Sequence, residues 1–155
     1  MLRVVIDTRE QRPWAFPPDL AEVSRGTLRT GDYALAGDDA FAIERKSLDD
    51  FLGTISSGWE RFLREIGRME GAGFAARCVI VEADFEACCF HQTAAGELVP
   101  PAHSHQQLSP RFVARRIAEL SFMGVSVLFA GCADYAAALA YAHLCERDRT
   151  RATQD

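Results

Sequence analysis

The sequence predicts an α/β fold: a single domain in which a central mixed sheet is flanked by helices. Three observations carry that expectation. A chain of 155 residues, 48% hydrophobic and 25% charged, has the length and balance of one globular domain with its own core. Short β-branched runs alternate with stretches of helical spacing in the order strand, hairpin, two helices, strand, helix, strand, helix. That order suits a sheet covered on both faces. No internal repeat or compositional break marks a second domain.

Residues 2–6 are apolar and β-branched, and predict a strand ending at Asp7. Residues 8–18 contain Pro13, Pro17 and Pro18 without a period and read as a loop. Residues 27–35 and 40–44 are expected to be two strands joined by the turn Gly37-Asp38-Asp39. Ser47 occupies an N-cap position with Asp50 three residues on, a capping-box-like start, and Leu48, Phe51, Leu52 and Ile55 follow at helical spacing. After Ser56-Ser57-Gly58, a second helix places Trp59, Phe62, Ile66 and Met69 on one face and Arg61, Arg64 and Arg68 on another. Residues 77–82 read as a buried strand. Residues 90–110, with Gly96, Pro100, Pro101 and three histidines, read as a loop insertion. Pro110 opens a helix reaching about Phe122. Residues 125–129 form another strand and 133–147 an Ala-rich helix. The domain is thus expected to span 1–147, with 148–155 as a frayed polar tail.

A net charge of −5 argues at first against a nucleic-acid partner, since phosphate binding is driven by positive charge. A carboxylate cluster that binds cations is nonetheless compatible with a negative total. Of the 17 basic residues only Lys46 is a lysine, so the position of that lysine is informative. Five irregularly spaced cysteines fit a reducing, intracellular setting such as the cytoplasm. The N-terminus does not read as a signal peptide, and no run approaches the roughly 20 apolar residues that cross a bilayer.

The chemistry concentrates in Gly31-Asp32-Tyr33 and Glu44-Arg45-Lys46. Side chains alternate along a strand, so Glu44 and Lys46 share a face and Arg45 takes the other. The hairpin returns Asp32 beside Glu44. Two carboxylates then converge with an ammonium next to them, a set of oxygen ligands that suits Mg²⁺ or Mn²⁺. Such an ion polarises a scissile phosphate and acidifies a bound water, and Lys46 could orient that water or stabilise charge developing on phosphorus. Asp7, at a strand end, can add a third carboxylate. Taken alone, the same residues would serve equally as a solvated edge strand and a turn.

Val5-Ile6-Asp7-Thr8-Arg9-Glu10, Gly31-Asp32-Tyr33 and Glu44-Arg45-Lys46-Ser47-Leu48-Asp49-Asp50, taken together, resemble the motif set of the XPF-type structure-specific nucleases. The resemblance implies a restriction-endonuclease-like fold and a metal-dependent DNA endonuclease acting at branched or single-strand/double-strand junctions, in repair, recombination or phage DNA processing. By motif position, Asp7, Asp32 and Glu44 would hold Mg²⁺ or Mn²⁺, and Lys46 would assist the nucleophilic water. Arg45 and Asp50 fall on the remaining signature positions. Capping of the Ser47 helix also explains Asp50, and Arg45 could pair with a carboxylate behind the site. Arg9 and Glu10 belong to the first motif. Relatives usually carry tandem helix-hairpin-helix modules after the nuclease domain; this chain ends without them. A grip on DNA would then come from its own surface, a partner protein or self-association.

Arg9, Arg61, Arg64 and Arg68 are candidate phosphate contacts, the last three otherwise forming a solvated face with Glu60 and Glu65. Arg111, Arg115 and Arg116 form a second basic cluster. Cys88, Cys89, His91, His103 and His105 are zinc-type residues at unusual ligand spacings, and read more simply as core cysteines and loop histidines. The family's nuclease domains pair through their last helices, so 122–129 and 136–144 offer an apolar surface for a homodimer. A competing reading is a non-catalytic DNA-binding or scaffold subunit of a nuclease complex; an intact Asp32, Glu44 and Lys46 set distinguishes the nuclease from it. A third is a nuclease subunit targeted by another protein.

Overall fold

Alternation along one strand, Ala76–Val81, sets a two-sided architecture: Cys78 and Ile80 point to one face, Val79 and Val81 to the other, and all four are buried. The computed structural model describes residues 1–74, 76–89, 91–99 and 108–153. Its elements are β1 (Leu2–Asp7), β2 (Ala21–Gly26), β3 (Tyr33–Leu35), β4 (Phe41–Lys46), α1 (Leu48–Ile55), α2 (Trp59–Gly71), β5 (Ala76–Val81), α3 (Phe85–Cys89), β6 (His91–Gln92), β7 (Leu98–Val99), α4 (Pro110–Phe122), β8 (Val125–Phe129) and α5 (Ala133–Arg151). Six strands form one mixed sheet in the order β2-β1-β3-β4-β5-β8. β1 is parallel to β2 and antiparallel to β3, β3 is antiparallel to β4, and β4, β5 and β8 run parallel.

On one face α5 lays Ala136, Ala140 and Leu144 against Val4, Ile6, Tyr33, Ile43 and Ile80. The two alanines, one turn apart, let the helix backbone sit close to the sheet. On the other face Phe51 and Ile55 of α1, Phe62 and Ile66 of α2, and Val113 and Leu120 of α4 cover Val79, Val81 and Val125. The α/β fold with helices on both faces is therefore as the sequence predicts.

Several boundaries differ. β2 was not expected: only Ala21 of its residues is buried, so this edge strand has no apolar alternation to read. The expected strand over 27–35 shrinks to Tyr33–Leu35. Upstream of it the Leu28 amide is committed to the Asp7 side chain, and Gly31 adopts φ 75°, which interrupts extended pairing. Within the expected loop, β6 and β7 form a small antiparallel hairpin; residues 90 and 100–107, with His103 and His105, lie outside the described residues, as do the side chains of Cys88, Cys89 and His91. The last helix runs on to Arg151 instead of stopping at Arg147. Ala136, Ala140 and Leu144, expected to help form a pairing surface, are spent on the chain's own core; Phe122 at the end of α4 and Tyr135 in the first turn of α5 are exposed.

The end of α5 is fixed by the β3–β4 turn. Arg147 donates from Nε to Asp38 Oδ2 at 2.7 Å and from the guanidinium to Oδ1 at 3.1 Å, and Arg151 donates to the Gly37 carbonyl. Burial alone would raise the Asp38 carboxyl, but Arg147 and the Ala40 amide more than reverse this and hold it below its ordinary value of 3.8. A carboxyl depressed in the folded state contributes stability above its unfolded value and loses it as pH falls. Arg147→Ala should therefore lower the unfolding free energy by about 2 kcal/mol at neutral pH, because it leaves the buried Asp38 carboxylate with the Ala40 amide and the more distant Arg151 at 3.9 Å. In urea titrations the advantage of wild type over Asp38→Asn should shrink as pH drops below 3.8; a pH-independent difference would refute the clamp.

Candidate active site

Strand direction gathers the sequence's charged motifs at one end of the sheet. β1 and β4 both lie antiparallel to β3, so the carboxyl ends of β1, β4 and β5 share an edge with the start of β3. Asp7 closes β1, Glu44 to Lys46 close β4, Glu82 follows β5, and Asp32 precedes β3. Gly31 makes the last placement possible. A Cβ there would lie 2.8 Å from Ala42 Cβ and 3.0 Å from the Ile43 carbonyl oxygen, so only glycine lets the chain pass this close to β4. The Asp32 amide then donates to the Ile43 carbonyl at 2.8 Å, and Asp32 Oδ2 accepts from the Arg45 amide at 2.8 Å.

Asp32 and Glu44 repel each other. Burial first, then the Glu44 charge, pushes the Asp32 carboxyl up to about 6, against the lowering effect of the Arg45 amide; Glu10 adds to the rise and Lys46 opposes it. Glu44 is better compensated. Its Oε1 lies 3.2 Å from Lys46 Nζ and its Oε2 3.1 Å from the guanidinium of Arg77, a residue almost fully buried. Lys46 and Glu44 thus share a side of β4.

Asp7 is sealed in a different way. It is fully buried, and its carboxylate accepts from the Arg9 amide, from the Arg9 guanidinium through two bonds, and from the Leu28 amide at 2.7 Å. The Arg9 side chain is the chief cause that holds its carboxyl down at about 2. Arg9 itself is 69% exposed, so the cation on Asp7 is a movable one. Glu10 turns back to accept from the Arg12 amide at 2.6 Å and to meet Arg45 at 3.4 Å.

The Arg45 guanidinium points away from Asp32 and Glu44. It makes a two-pronged contact with Glu82, both bonds 2.8 Å, and Glu82 Oε1 also accepts from the Trp14 indole at 2.5 Å. Trp14 stacks on Tyr33 at 4.5 Å between centroids, and its amide donates to the Tyr33 hydroxyl. Asp50 caps α1: its amide donates to Ser47 Oγ, and its Oδ2 accepts from the Ser47 hydroxyl at 2.9 Å. Arg77, Glu82 and Trp14 were not singled out from the sequence as site residues. Arg77 and Glu82 sit at the two ends of an otherwise apolar strand, and that pair of charges was the available signal.

An open groove of about 520 Å³ beside the site is lined by Lys46, Asp50, Gly53, Thr54, Gly58 and Arg61. Arg61, Arg64 and Arg68 are exposed along α2. Glu65, expected to balance that face, instead pairs inward with Arg77 at 3.0 Å and accepts from Thr30. Arg115 and Arg116 are both within 3.5 Å of Glu119, and Arg116 also lies over the Trp59 ring at 4.0 Å.

Among the described residues no three His, Cys, Asp or Glu side chains are close enough to form a metal cage unaided. The donor chemistry still fits a divalent cation. Asp32 and Glu44 offer hard oxygen ligands, and the uncompensated repulsion at Asp32 is what a bound cation would relieve.

A family model described as the ERCC4 domain matches residues 6–142. No curated protein matches the chain. Among solved structures, XPF from Aeropyrum pernix in complex with DNA superposes with a TM-score of 0.64 at 22% identity, over 97% of this chain and 66% of that one. A second structure of XPF from Aeropyrum pernix gives 0.64 at 21% identity, over 95% of this chain and 65% of that one. This chain thus spans just under two thirds of the length of those structures, and the likeness establishes a shared restriction-endonuclease-like fold.

The raised Asp32 carboxyl has a stability consequence of definite sign. An acid whose folded-state value lies above its unfolded one stabilises the fold below the unfolded value and loses that contribution as pH rises through the folded value, here from 3.8 to about 6. In chelator, wild type should lose stability across that window while Asp32→Asn stays flat. At pH 7 the variant should be more stable by about 1–2 kcal/mol, after allowance for the partial exposure of the group. Denaturant titrations showing Asp32→Asn less stable than wild type at pH 7 would contradict the raised carboxyl.

Proposed function

The chain belongs to the ERCC4 domain family, and from that premise we propose that it is a divalent-metal-dependent DNA endonuclease that hydrolyses phosphodiester bonds. The observation that carries this reading is the convergence of Asp32, Glu44 and Lys46 at one sheet end, with Asp32 short of positive charge. Asp32 and Glu44 would hold Mg²⁺ or Mn²⁺, with Asp7 as a third carboxylate once Arg9 has turned away. The ion's chemistry is to polarise the scissile phosphate and to acidify an attacking water.

The chain's own groups do the rest. Lys46, 3.2 Å from Glu44, can place its ammonium against the attacking water or a non-bridging phosphate oxygen. Arg9, the exposed guanidinium at the site, is suited to exchange the Asp7 carboxylate for a phosphate. Arg61, Arg64 and Arg68 would carry the adjoining backbone along α2, with Asp50 and Arg61 bordering the groove beside Lys46. The Arg45 guanidinium, engaged by Glu82, would act from behind the site.

The substrate we propose is branched or single-strand/double-strand junction DNA, in repair, recombination or phage DNA processing, within a reducing intracellular compartment. Phe122 and Tyr135, 95% and 69% exposed, would be covered by a second copy of the chain or by a partner that delivers DNA. One observation favours a non-catalytic DNA-binding subunit instead: both Glu44 oxygens are already paired, with Lys46 and with Arg77.

One set of assays separates these readings. Wild type should cut labelled flap or fork DNA in Mg²⁺ or Mn²⁺, and EDTA should abolish cleavage. Asp32→Asn and Glu44→Gln should each cost on the order of 10³-fold, and Lys46→Ala on the order of 10²-fold. Equal cleavage by wild type and both carboxylate variants would sink the assigned site; no cleavage of any substrate by wild type would favour the non-catalytic subunit. For the α2 track, Arg61→Ala and Arg68→Ala should each weaken DNA binding and reduce the slope of log K against log salt by about 1. An unchanged slope would remove those residues from the interface.

A further inference from the structure

The Arg45 amide is the one main-chain group that donates to the Asp32 carboxylate among the described residues, so whatever fixes residue 45 fixes that carboxylate. The β4–β5 pairing, in register Arg45↔Ile80, holds its backbone, and its own side chain adds a second restraint at the strand end. Arg45 is 20% exposed and Glu82 15%, and the guanidinium grips both Glu82 oxygens in a planar fork that restrains Arg45 at both ends of the carboxylate. Glu82 is itself restrained twice. Its amide donates to the Lys46 carbonyl at 2.9 Å, which continues the β4–β5 pairing, and its Oε1 accepts from the Trp14 indole. Trp14 in turn rests on Tyr33, the residue that follows Asp32. The contacts form a closed circuit: Asp32, Arg45, Glu82, Trp14, Tyr33 and back to Asp32.

We propose that Glu82 is a positioning residue for the metal-binding carboxylates, acting through Arg45 and held by Trp14. It touches neither Asp32 nor Glu44. A carboxylate in this place neutralises the guanidinium, so the Arg45 charge does not compete with a cation for Asp32, and its geometry holds the β4 end against the start of β3. Its place behind the liganding residues is where changes cost tenfold to a hundredfold in metal affinity or activity. Sequence spacing alone does not reveal this role, because Glu82 lies far along the chain from the residues it supports.

This inference rests on the nuclease reading, and its test keeps the two apart. Mn²⁺ binding to the chelator-stripped full chain is read by electron paramagnetic resonance, alongside kcat and KM for junction cleavage and a denaturant titration. Glu82→Gln keeps an acceptor for Trp14 but loses the charge. It should unfold cooperatively, bind Mn²⁺ about 10–100-fold more weakly, and lose kcat by a similar factor with KM for DNA unchanged. Arg45→Lys keeps the charge and loses the fork; it should give the same pattern, and the double variant should be no worse than either single one. Glu82→Gln with wild-type Mn²⁺ affinity and kcat would overturn the proposal, as would a loss confined to KM or additive losses in the double variant. Should Glu82→Gln not fold, Arg45→Lys decides: wild-type Mn²⁺ affinity there overturns it equally. Wild type that neither binds Mn²⁺ nor cuts DNA overturns both readings, whereas wild type that does both beside an unaffected Glu82→Gln overturns only this one.

Discussion

The repulsion between Asp32 and Glu44 is the constraint on which the rest of this structure depends. Two carboxylates brought together at a sheet end oppose folding, and the fold answers with groups arranged around them. Lys46 and the buried Arg77 neutralise Glu44, while among the described residues Asp32 accepts the Arg45 amide, feels Lys46 at longer range and remains partly uncompensated. Arg77 is in turn divided between Glu44 and Glu65 and lies 4.9 Å from the centre of the Phe62 ring, with its Nε lacking a hydrogen-bond partner. A buried guanidinium left partly unsatisfied is costly, and removing it would leave Glu44 with Lys46 alone. Stability has been spent at one point in the sheet so that negative charge can stand there.

The sheet topology explains how so much charge reaches one place. A parallel relation between β1, β4 and β5 puts three carboxyl ends together, and the antiparallel β3 brings its beginning to the same edge. This geometry was legible in the sequence at Asp32, Glu44 and Lys46, because alternation along β4 and the return of the hairpin are local rules. Capping of α1 by Ser47 with Asp50 was legible for the same reason. What local rules could not supply were contacts between distant segments. Glu82 and Trp14 are 68 residues apart, and Arg77 and Glu44 meet across 33. Nor could they supply β2, where only Ala21 is buried and both faces are otherwise exposed, so no alternation marks the strand. The α5 boundary was misread for a related reason: its last turns are polar, and they are held by Asp38 and Gly37 over 100 residues away.

Asp7 and Arg9 show the same balance solved in the opposite manner. Where Asp32 is left short of positive charge, Asp7 is saturated by the Arg9 guanidinium and two amides, and its carboxyl is held at about 2. A carboxylate so well satisfied contributes to stability, and it stays ionised through the whole pH range in which Asp32 titrates. The two acids are therefore not equivalent members of a ligand set. Asp32 is destabilised, as the proposed cation ligand would be; Asp7 already has a counter-charge, in the form of an exposed side chain that can leave at modest cost because its guanidinium can be rehydrated.

This inequality bears on how a chain with net charge −5 could approach a polyanion. The arginines exposed on α2 flank the site, whereas Asp32 at its centre is short of positive charge. Phosphate and the bare site repel each other at close range, where low dielectric strengthens every charge term. On the proposed nuclease reading, positive charge would come before or with the phosphate: as a cation on Asp32 and Glu44, and as Arg9 released from Asp7. The flanking arginines, of which Arg61 borders the groove beside Lys46, can hold the neighbouring backbone. On this physical account, loading of the site and engagement of the backbone are one coupled event, and the repulsion that costs the empty fold stability is the source of that coupling.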